Sequence, residues 1–300
     1  MSELRFDGRT VIVTGAGRGF GRCHAMLLAA RGANVVVADN GANLDGTGSS
    51  REPAEQVVKE ITAAGGTAVA CFESVVTEDG AVAIVQTALD AFGRLDVLVN
   101  NAGIVDPDWF AEQDLDRFRR MEATHYWGTV NTTRAAWSHL LAAPHGCIVN
   151  ITSEAILGGV PKSASYAAAK GAVFAFTRAL ALDGRRSGVR ANAVAPRGNT
   201  RMSGPDVLSI FYDQPVEDFK NEFFDRLLPE YVSPAVAYLA HDSCPLTGET
   251  LICGGGQAMR LAMVRSAGIH RDVLTPEDIA ESIDGVLDLT DATLIGIDMI

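Results

Sequence analysis

The chain has 300 residues, of which 47% are hydrophobic, which suits one α/β domain with a substantial core. Its net charge of −12 argues against general binding to nucleic acid or anionic membranes, and no apolar run approaches the roughly 18 residues of a membrane span. The five cysteines form no C-x-x-C motif, the histidines form no metal-like pair and the start lacks a secretory signal, so we expect a cytoplasmic protein without a metal site.

The first predicted strand leads into a glycine-rich turn and a helix. Thr10–Thr14 is a short β-branched run, and the sequence GAGRGFG follows it directly. Glycines in such a turn let the backbone approach a pyrophosphate, and the N-terminus of the next helix can bind that anion. The common G-x-G-x-x-G spacing fails because Phe20 stands at its last position. The spacing T-G-x-x-x-G-x-G fits, through Thr14, Gly15, Gly19 and Gly21.

The second predicted strand, Asn34–Ala38, ends at an acidic residue, Asp39. An acid about 20 residues beyond a glycine turn can accept hydrogen bonds from the ribose hydroxyls of an adenosine. Its charge would repel a 2′-phosphate, so NAD is favoured over NADP, although Arg18 within the turn is a contrary indication. The polar segment Asn40–Ser50 that follows is either a loop beside the adenosine or a mobile surface insertion.

The remaining strand-like runs alternate with helical stretches, which is typical of a parallel, doubly wound sheet. They are Thr67–Cys71, Asp96–Val99, Cys147–Thr152, Val189–Val194 and Thr250–Cys253. The sequence therefore predicts one α/β domain, residues 1–256, with a parallel sheet of about seven strands. A helical C-terminal extension, residues 257–300, would pack on that domain or on a neighbouring subunit, and Thr275 followed by Pro276 predicts a helix start within it.

Tyr166 and Lys170 stand four residues apart, with Ser153 thirteen residues upstream of the tyrosine. On a helix this spacing places the ammonium group beside the phenol. A free tyrosine has a pKa of about 10, and lowering that pKa to about 7 requires roughly 4 kcal/mol, which a cation in a dry cleft can supply. Tyr166 would then accept the proton of a substrate hydroxyl while Ser153 binds the same oxygen. An isolated pair would indicate a solvated helix face, but the nucleotide-binding pattern of the first forty residues reverses that interpretation in favour of catalysis.

These motifs, in this order, resemble the short-chain dehydrogenase/reductase family over about residues 6–260, with Asn100-Asn101-Ala102-Gly103 and Ala195-Pro196-Arg197-Gly198 completing the set. The resemblance implies a Rossmann fold in which Tyr166 is the general acid/base, Lys170 binds the nicotinamide ribose and lowers the tyrosine pKa, and Ser153 polarises the reacting oxygen. It also implies a set of residues that bind NAD. They are Gly15, Arg18, Gly19, Phe20, Gly21, Asp39, Ser74, Val75, Asn100, Asn101, Ala102, Gly103, Tyr166, Lys170, Pro196 and Thr200.

The chain departs from the family pattern in the helix after the N-N-A-G motif. Where the family carries an asparagine in an N-x-x-G context, this chain has His125-Tyr126-Trp127-Gly128. Histidine can replace asparagine as a hydrogen-bonding group, but it titrates near neutral pH. His125 therefore either joins the proton relay of the catalytic set or satisfies a helix carbonyl.

Several further segments are similar to one branch of the family, the (3R)-hydroxyacyl-CoA dehydrogenases of the peroxisomal multifunctional enzyme type 2 kind, which are also counted among hydroxysteroid dehydrogenases. The segments are Thr133–Trp137, Asp183–Arg185, Ala195–Met202 and Leu228–Pro234. This similarity implies an NAD-dependent oxidoreductase acting on a 3-hydroxyacyl-CoA, with a hydroxysteroid or other lipid-like alcohol as the alternative. A protein of another class, which senses NAD without turnover, would be expected to lose the base or its activator, and this chain keeps both.

The substrate side of the cleft is less defined by the sequence. Aromatic residues either wall an apolar cleft or serve the core or a subunit contact, namely Phe211, Tyr212, Phe219, Phe223 and Phe224. The net negative charge of the chain would repel the anionic CoA, and three cations near the cleft would counter that repulsion, namely Lys162, Arg197 and Arg201. The resemblance further implies a homodimer or homotetramer, with the helices around Glu112–Leu141 and Ser163–Leu182 at an interface. The expected ligand is thus a small molecule, and the expected partner is a second copy of the chain.

Overall fold

A central sheet of eight strands, in the order β3-β2-β1-β4-β5-β6-β7-β8, organises the chain in this computed structural model, which describes residues 3–297 apart from the side chain of Phe223. The first seven strands pair in parallel, and β8 pairs with β7 in the antiparallel sense. The strands are β1 (Thr10–Thr14), β2 (Asn34–Ala38), β3 (Thr67–Cys71), β4 (Val97–Asn100), β5 (Cys147–Ile151), β6 (Arg190–Pro196), β7 (Thr250–Gly254) and β8 (Gln257–Leu261).

Helices cover both faces of this sheet. The helices before the C-terminal region are α1 (Gly19–Ala30), α2 (Glu52–Ala63), α3 (Glu78–Phe92), α4 (Leu115–Glu122), α5 (Gly128–Ala142), α6 (Ala164–Arg185), α7 (Pro205–Tyr212), α8 (Glu222–Asp225) and α9 (Ser233–Ala240). A π-helical turn, Ala123–Trp127, joins α4 to α5. Short 3-10 helices occur at Glu154–Leu157, Val216–Phe219 and Pro229–Val232.

Alternate residues of the strands contribute to two apolar cores, one on each face of the central sheet. In β1, Val11 and Val13 pack with helices α1, α2 and α9, whereas Ile12 packs with α3, α5 and α6. Because successive strand side chains point to opposite faces, a run that is apolar throughout must be covered on both sides. The predicted doubly wound α/β fold is therefore confirmed.

The chain after β7 differs from the sequence-based prediction. The sequence predicted about seven strands, but the sheet has an eighth, β8, which begins at residue 257. Four of its five residues are exposed, so it carries no hydrophobic pattern that would reveal a strand. The chain then forms a two-stranded ribbon of β9 (Met263–Arg265) and β10 (Thr293–Ile295).

Two short helices lie between the strands of that ribbon, α10 (Pro276–Glu281) and α11 (Ile283–Leu287). The predicted start of α10 is confirmed, because Thr275 and Asp278 exchange side-chain and backbone hydrogen bonds in a capping box. The division at residue 256 stays a prediction, and residues 298–300 of the predicted extension lie outside the described part. Within residues 3–297, no helix combines the length and the apolar character needed to cross a bilayer.

Candidate active site

A cavity of about 690 Å³ opens at the carboxyl ends of the parallel strands. It lies where the strand order reverses between β1 and β4, which is the position at which open α/β sheets bind ligands. Every residue predicted to contact the cofactor or the reacting atoms lines this cavity except Asn100. The sequence thus predicted which residues converge, while their individual roles remain predictions.

The glycine turn between β1 and α1 lies close to the strand that carries the N-N-A-G motif. A Cβ atom on Gly15 would lie 2.7 Å from the Cα of Ala102, and one on Gly21 would overlap the carbonyl of Gly15. Arg18 caps α1 without a side-chain hydrogen bond, and the first turn of the helix holds no acidic residue. The N-terminus of α1 is therefore free to bind an anion.

Asp39 lines the cavity and also holds the glycine turn in place through hydrogen bonds. Its two carboxylate oxygens accept hydrogen bonds from the backbone N–H groups of Gly17 and Gly41, each at 2.7 Å. Arg201 lies close enough to Arg18 and Asp39 for both charges to affect its pKa, which burial and Arg18 lower and Asp39 raises. The acid that the sequence predicted as a ribose ligand thus also orders the loops on either side.

The segment Asn40–Ser50 contains no helix or strand and packs along the rim of the cavity. The carbonyl of Leu44 accepts a hydrogen bond from the N–H of Val105 at 2.8 Å, and the carbonyl of Ala42 accepts one from Arg201 at 3.1 Å. Of the two interpretations that the sequence left open, the position beside the cavity is the one observed.

The two asparagines of the N-N-A-G motif have different surroundings. Asn101 donates from its side chain to the carbonyls of Thr14 and Gly15, at 2.8 and 3.1 Å, and it lines the cavity. Asn100 is buried and bonds Thr132, Thr133 and Asn150. The side chain of Asn100 is thus used inside the fold, and its predicted support of the cofactor stays a prediction.

Thr14 connects two strand ends at the edge of the cavity, a structural role that the sequence did not reveal. Its hydroxyl accepts hydrogen bonds from the backbone N–H groups of Asn101 and Ala102, at 3.0 and 3.1 Å. It therefore fixes the end of β4 against the end of β1. The signal in the sequence that could have identified this role is the position of Thr14 at the start of the glycine motif.

Ser153, Tyr166 and Lys170 line the same cavity as the glycine turn. Ser153 caps the 3-10 helix that begins at Glu154, and the other two residues lie on α6. The ammonium nitrogen of Lys170 lies 5.9 Å from the centre of the Tyr166 ring and donates to the carbonyl of Ile151 at 2.7 Å. The predicted helical pairing of tyrosine and lysine is confirmed.

The electrostatics of this cluster differ from the prediction. Burial raises the pKa of Tyr166, and a hydrogen bond with Ser153 opposes that rise. Burial also lowers the pKa of Lys170 to about 7. The expected lowering of the tyrosine pKa by Lys170 is thus not observed, because loss of hydration disfavours both charged forms.

His125 lies on the π-helical turn with its ring against Tyr166, edge to face, at 5.2 Å between ring centres. Its Nε2 atom is 2.8 Å from the carbonyl oxygen of Ile104, which belongs to the loop after β4 and not to a helix. Its Nδ1 atom has no hydrogen-bond partner among the described residues. Burial and the nearby Lys170 hold the pKa of His125 well below 6.5, so the ring is neutral at physiological pH.

The part of the cavity beyond Ser153 has an apolar wall. Of the predicted aromatic residues, Phe211, Tyr212 and Phe224 line it. Phe219 packs against Tyr212 and Phe224, with ring centres 5.9 and 6.1 Å away, while the side chain of Phe223 lies outside the described part. Other apolar residues complete the wall, namely Val105, Leu157, Val160, Met202, Leu208 and Leu227.

Two of the three predicted cations are neutralised by acidic neighbours. Lys162 forms an ion pair with Asp213, and Arg197 forms one with Glu154 through two hydrogen bonds of 2.6 Å. Arg201 forms no ion pair with the described residues and lines the cavity. The expected cationic compensation is thus reduced to Arg201, with Arg18 nearby.

The chain is similar to known proteins over most of its length. The sequence profile of the short chain dehydrogenase family matches residues 9–205, more than half of the chain. A short-chain type dehydrogenase/reductase of Mycobacterium tuberculosis is 37% identical over 289 residues, which cover 96% of this chain and 97% of that protein. Peroxisomal multifunctional enzyme type 2 of Mus musculus is 36% identical over 299 residues, which cover 97% of this chain but 38% of the mouse protein.

A solved structure gives a further comparison. It is that of a 7α-hydroxysteroid dehydrogenase complexed with NADH and 7-oxo glycochenodeoxycholic acid. It superimposes with a TM-score of 0.72 at 28% sequence identity, covering 85% of this chain and 98% of that chain. The two proteins therefore share the same fold over most of this chain.

Proposed function

Because this chain belongs to the short-chain dehydrogenase/reductase family and is an oxidoreductase of that family, we propose that it uses NAD to interconvert a secondary alcohol and a ketone, and that the substrate is a 3-hydroxyacyl-CoA. One observation carries the proposal. Ser153, Tyr166 and Lys170 line the same cavity as the glycine turn, so a dinucleotide bound at that turn would reach the cluster.

The residues around the glycine turn fit a dinucleotide. The uncapped N-terminus of α1 suits a pyrophosphate, and the close approach of Gly15 to Ala102 leaves no room for side chains between them. Asp39 suits the adenosine ribose and disfavours a 2′-phosphate, which supports NAD over NADP. Pro196 and Thr200, which line the same cavity, would border the nicotinamide.

The chemistry requires one proton transfer and one hydride transfer. Oxidised NAD, held by the glycine turn and Asp39, would supply the acceptor for the hydride of the carbinol carbon. Tyr166 takes the proton of the substrate hydroxyl, so that the C–H and O–H bonds break as the C=O bond forms. Ser153 donates a hydrogen bond to the same oxygen, and Lys170 holds the nicotinamide ribose beside the phenol.

Two observations support an acyl or similarly apolar substrate. The cavity wall beyond Ser153 is apolar, which suits an aliphatic chain, and the similarity to peroxisomal multifunctional enzyme type 2 spans 97% of this chain. A hydroxysteroid is the second candidate, because the same wall suits a rigid apolar ring system and a hydroxysteroid dehydrogenase shares the fold.

The test is the formation of NADH, followed by its absorbance, with purified protein and a panel of alcohols. The panel contains (3R)- and (3S)-hydroxyacyl-CoA esters, hydroxysteroids and simple secondary alcohols. We expect turnover on one 3-hydroxyacyl-CoA enantiomer. Turnover on steroids alone would keep the chemistry and replace the substrate, whereas NAD binding without any turnover would favour a sensor of NAD.

The variant Tyr166→Phe tests the assigned base. It should abolish turnover while leaving NADH binding, measured by fluorescence titration, within about threefold of the wild type, because only the phenolic oxygen is lost. Tyr126→Phe is the matched control, since Tyr126 packs on Phe176 and does not line the cavity. Unchanged turnover in Tyr166→Phe would refute the mechanism.

A further inference from the structure

Glu154 and Arg197 form an ion pair between the ends of two neighbouring strands, next to the proposed reacting atoms. The Nε and one terminal nitrogen of Arg197 donate to the two carboxylate oxygens of Glu154, both at 2.6 Å. Glu154 directly follows Ser153, and Arg197 directly follows Pro196. Both side chains line the cavity.

The pair lies where the backbone hydrogen bonds between β5 and β6 have ended. Beyond the paired strands, the N–H of Thr152 donates to the carbonyl of Val194 at 2.9 Å. After that bond, the segment that follows β5 enters the 3-10 helix Glu154–Leu157, and the segment that follows β6 enters a loop. The ion pair is therefore the next link between the two chain segments.

The two ends of this link are anchored unequally. The N–H of Arg197 donates to the carbonyl of Cys253 at the end of β7, at 2.7 Å, which fixes the arginine to the sheet. On the other side, the Ser153 hydroxyl accepts from the N–H of Ala155 in its own turn at 3.1 Å and hydrogen-bonds the Tyr166 side chain, with no backbone bond to the sheet of the kind that Arg197 makes. That turn runs into Gly158 and Gly159, both with positive φ and with open space around them.

We propose that Glu154 and Arg197 are positioning residues for the reaction, and that their ion pair holds the Ser153 turn at a set distance from the Pro196 turn. Ser153 would polarise the reacting oxygen and Pro196 would border the nicotinamide, so this distance sets how closely the carbinol carbon approaches the hydride acceptor. The inference rests on the proposed function, because it needs those two roles.

The exposure of the pair separates this role from a general contribution to stability. The side chains of Arg197 and Glu154 are 41% and 30% exposed. Ion pairs this accessible to solvent contribute little to global stability. A displacement of about 1 Å at a reacting centre, however, can lower a rate by about 100-fold. Loss of the pair should therefore reduce kcat and hardly change the melting temperature.

The experiment measures kcat, KM, the NADH dissociation constant and the melting temperature for Glu154→Gln, Arg197→Met and the double variant. A control pair with nearly the same geometry exists, because Arg260 binds Glu249 through two hydrogen bonds of 2.8 and 2.7 Å, away from the cavity. Glu249→Gln and Arg260→Met are made in parallel. Arg197→Lys, which keeps the charge but not the paired hydrogen bonds, covers the case in which Arg197→Met does not fold.

We expect kcat to fall by about 10- to 100-fold in each single variant, with no further fall in the double variant, while KM and the NADH dissociation constant change by less than about threefold. The exchanged pair, Glu154→Arg with Arg197→Glu, should recover part of the lost kcat. Losses no larger than those of the control pair, or losses that multiply in the double variant, would overturn the inference.

A rise in KM confined to Arg197→Met would also overturn it, because that result would mean direct contact between Arg197 and the substrate. A failure of the proposed function can be distinguished from a failure of this inference. If the wild-type protein binds NADH and turns over no alcohol of the panel, the fault lies with the proposed function and not with the ion pair.

Discussion

Tyr166 and Lys170 are buried side by side, and burial acts on the two groups in opposite directions. It raises the pKa of the phenol and lowers that of the ammonium group to about 7, so Lys170 loses its charge as the pH rises through about 7 while Tyr166 keeps its proton into the alkaline range. The tyrosine is then a proton donor over that range and a proton acceptor only at higher pH. Ketone reduction and alcohol oxidation should therefore depend on pH differently.

Alcohol oxidation should keep rising with pH through the alkaline range, because the pKa of Tyr166 is raised, whereas ketone reduction should be nearly constant between about pH 7 and 9. The two pH dependences differ in direction because oxidation needs Tyr166 without its phenolic proton, whereas reduction needs Tyr166 with that proton. Ser153→Ala should move the rise in oxidation to higher pH, since the hydrogen bond that lowers the phenol pKa is lost. Initial rates in both directions, measured across this pH range, check the prediction. An oxidation rate that reaches its plateau below pH 7 would contradict it.

Asp39 is predicted to control both the order of the glycine turn and the choice of cofactor. Asp39→Asn keeps one acceptor oxygen but places an amide donor against the N–H of Gly17 or Gly41. Hydrogen bonds to a charged group contribute about 1.5–3 kcal/mol, so NADH binding should weaken by roughly 10- to 100-fold. NADPH binding should weaken less, because Arg18 and Arg201 remain and the negative charge is gone.

Fluorescence titrations with NADH and NADPH check this prediction. Asp45→Asn is the matched control, because Asp45 accepts from the N–H of Thr47 at 2.9 Å within the same loop but does not line the cavity. Equal losses of NADH affinity in the two variants would show that Asp39 acts only through the loop.

At the scale of elements, the glycine turn and the start of α1 should be intolerant of added volume. A Cβ atom on Gly21 would overlap the backbone carbonyl of Gly15 and approach the amide of Asn101. Backbone atoms cannot move aside cheaply, so Gly21→Ala should lower the free energy of unfolding by about 1–3 kcal/mol and weaken NADH binding. Ala30→Gly, at the exposed end of the same helix, should cost up to about 1 kcal/mol and leave NADH binding unchanged.

Chemical denaturation and NADH titration of both variants distinguish the two effects. If Gly21→Ala is as stable as the wild type and binds NADH equally well, the close packing of the turn against the N-N-A-G strand is not required for function.

Contacts within one element could be predicted from the sequence, while contacts between distant elements could not. The pairing of Tyr166 with Lys170 needs only helical periodicity, and the glycine turn needs only the order of strand, glycines and helix. The contact of Glu154 with Arg197 joins residues 43 positions apart and requires the register of β5 against β6. The burial that alters the pKa of Tyr166 likewise depends on elements packed from elsewhere in the chain.

At the scale of the molecule, the sequence predicted the parallel sheet because strand-like runs alternate with helical stretches along the chain. The first three strands have the predicted bounds, and the later ones differ by one or two residues at their ends. Strands β8, β9 and β10 were missed because they are largely exposed and carry no such pattern. An exposed strand takes its place from its pairing partner, which the sequence does not identify.

The exposed apolar side chains of α4–α6 lead to a last prediction, on assembly. Leu115 and Trp127 are 64% and 53% exposed, and both lie within the segment predicted to form a subunit interface. Burial of large exposed apolar side chains, aromatic ones above all, stabilises subunit contacts. Sedimentation velocity should therefore show a dimer or tetramer, and Trp127→Glu should weaken association by roughly 2 kcal/mol or more, about thirtyfold, by burying an unpaired charge. Val82→Glu, on the exposed surface of α3, should leave the assembly unchanged. A wild-type protein that sediments only as a monomer, or a Trp127→Glu variant that assembles like the wild type, would exclude this interface.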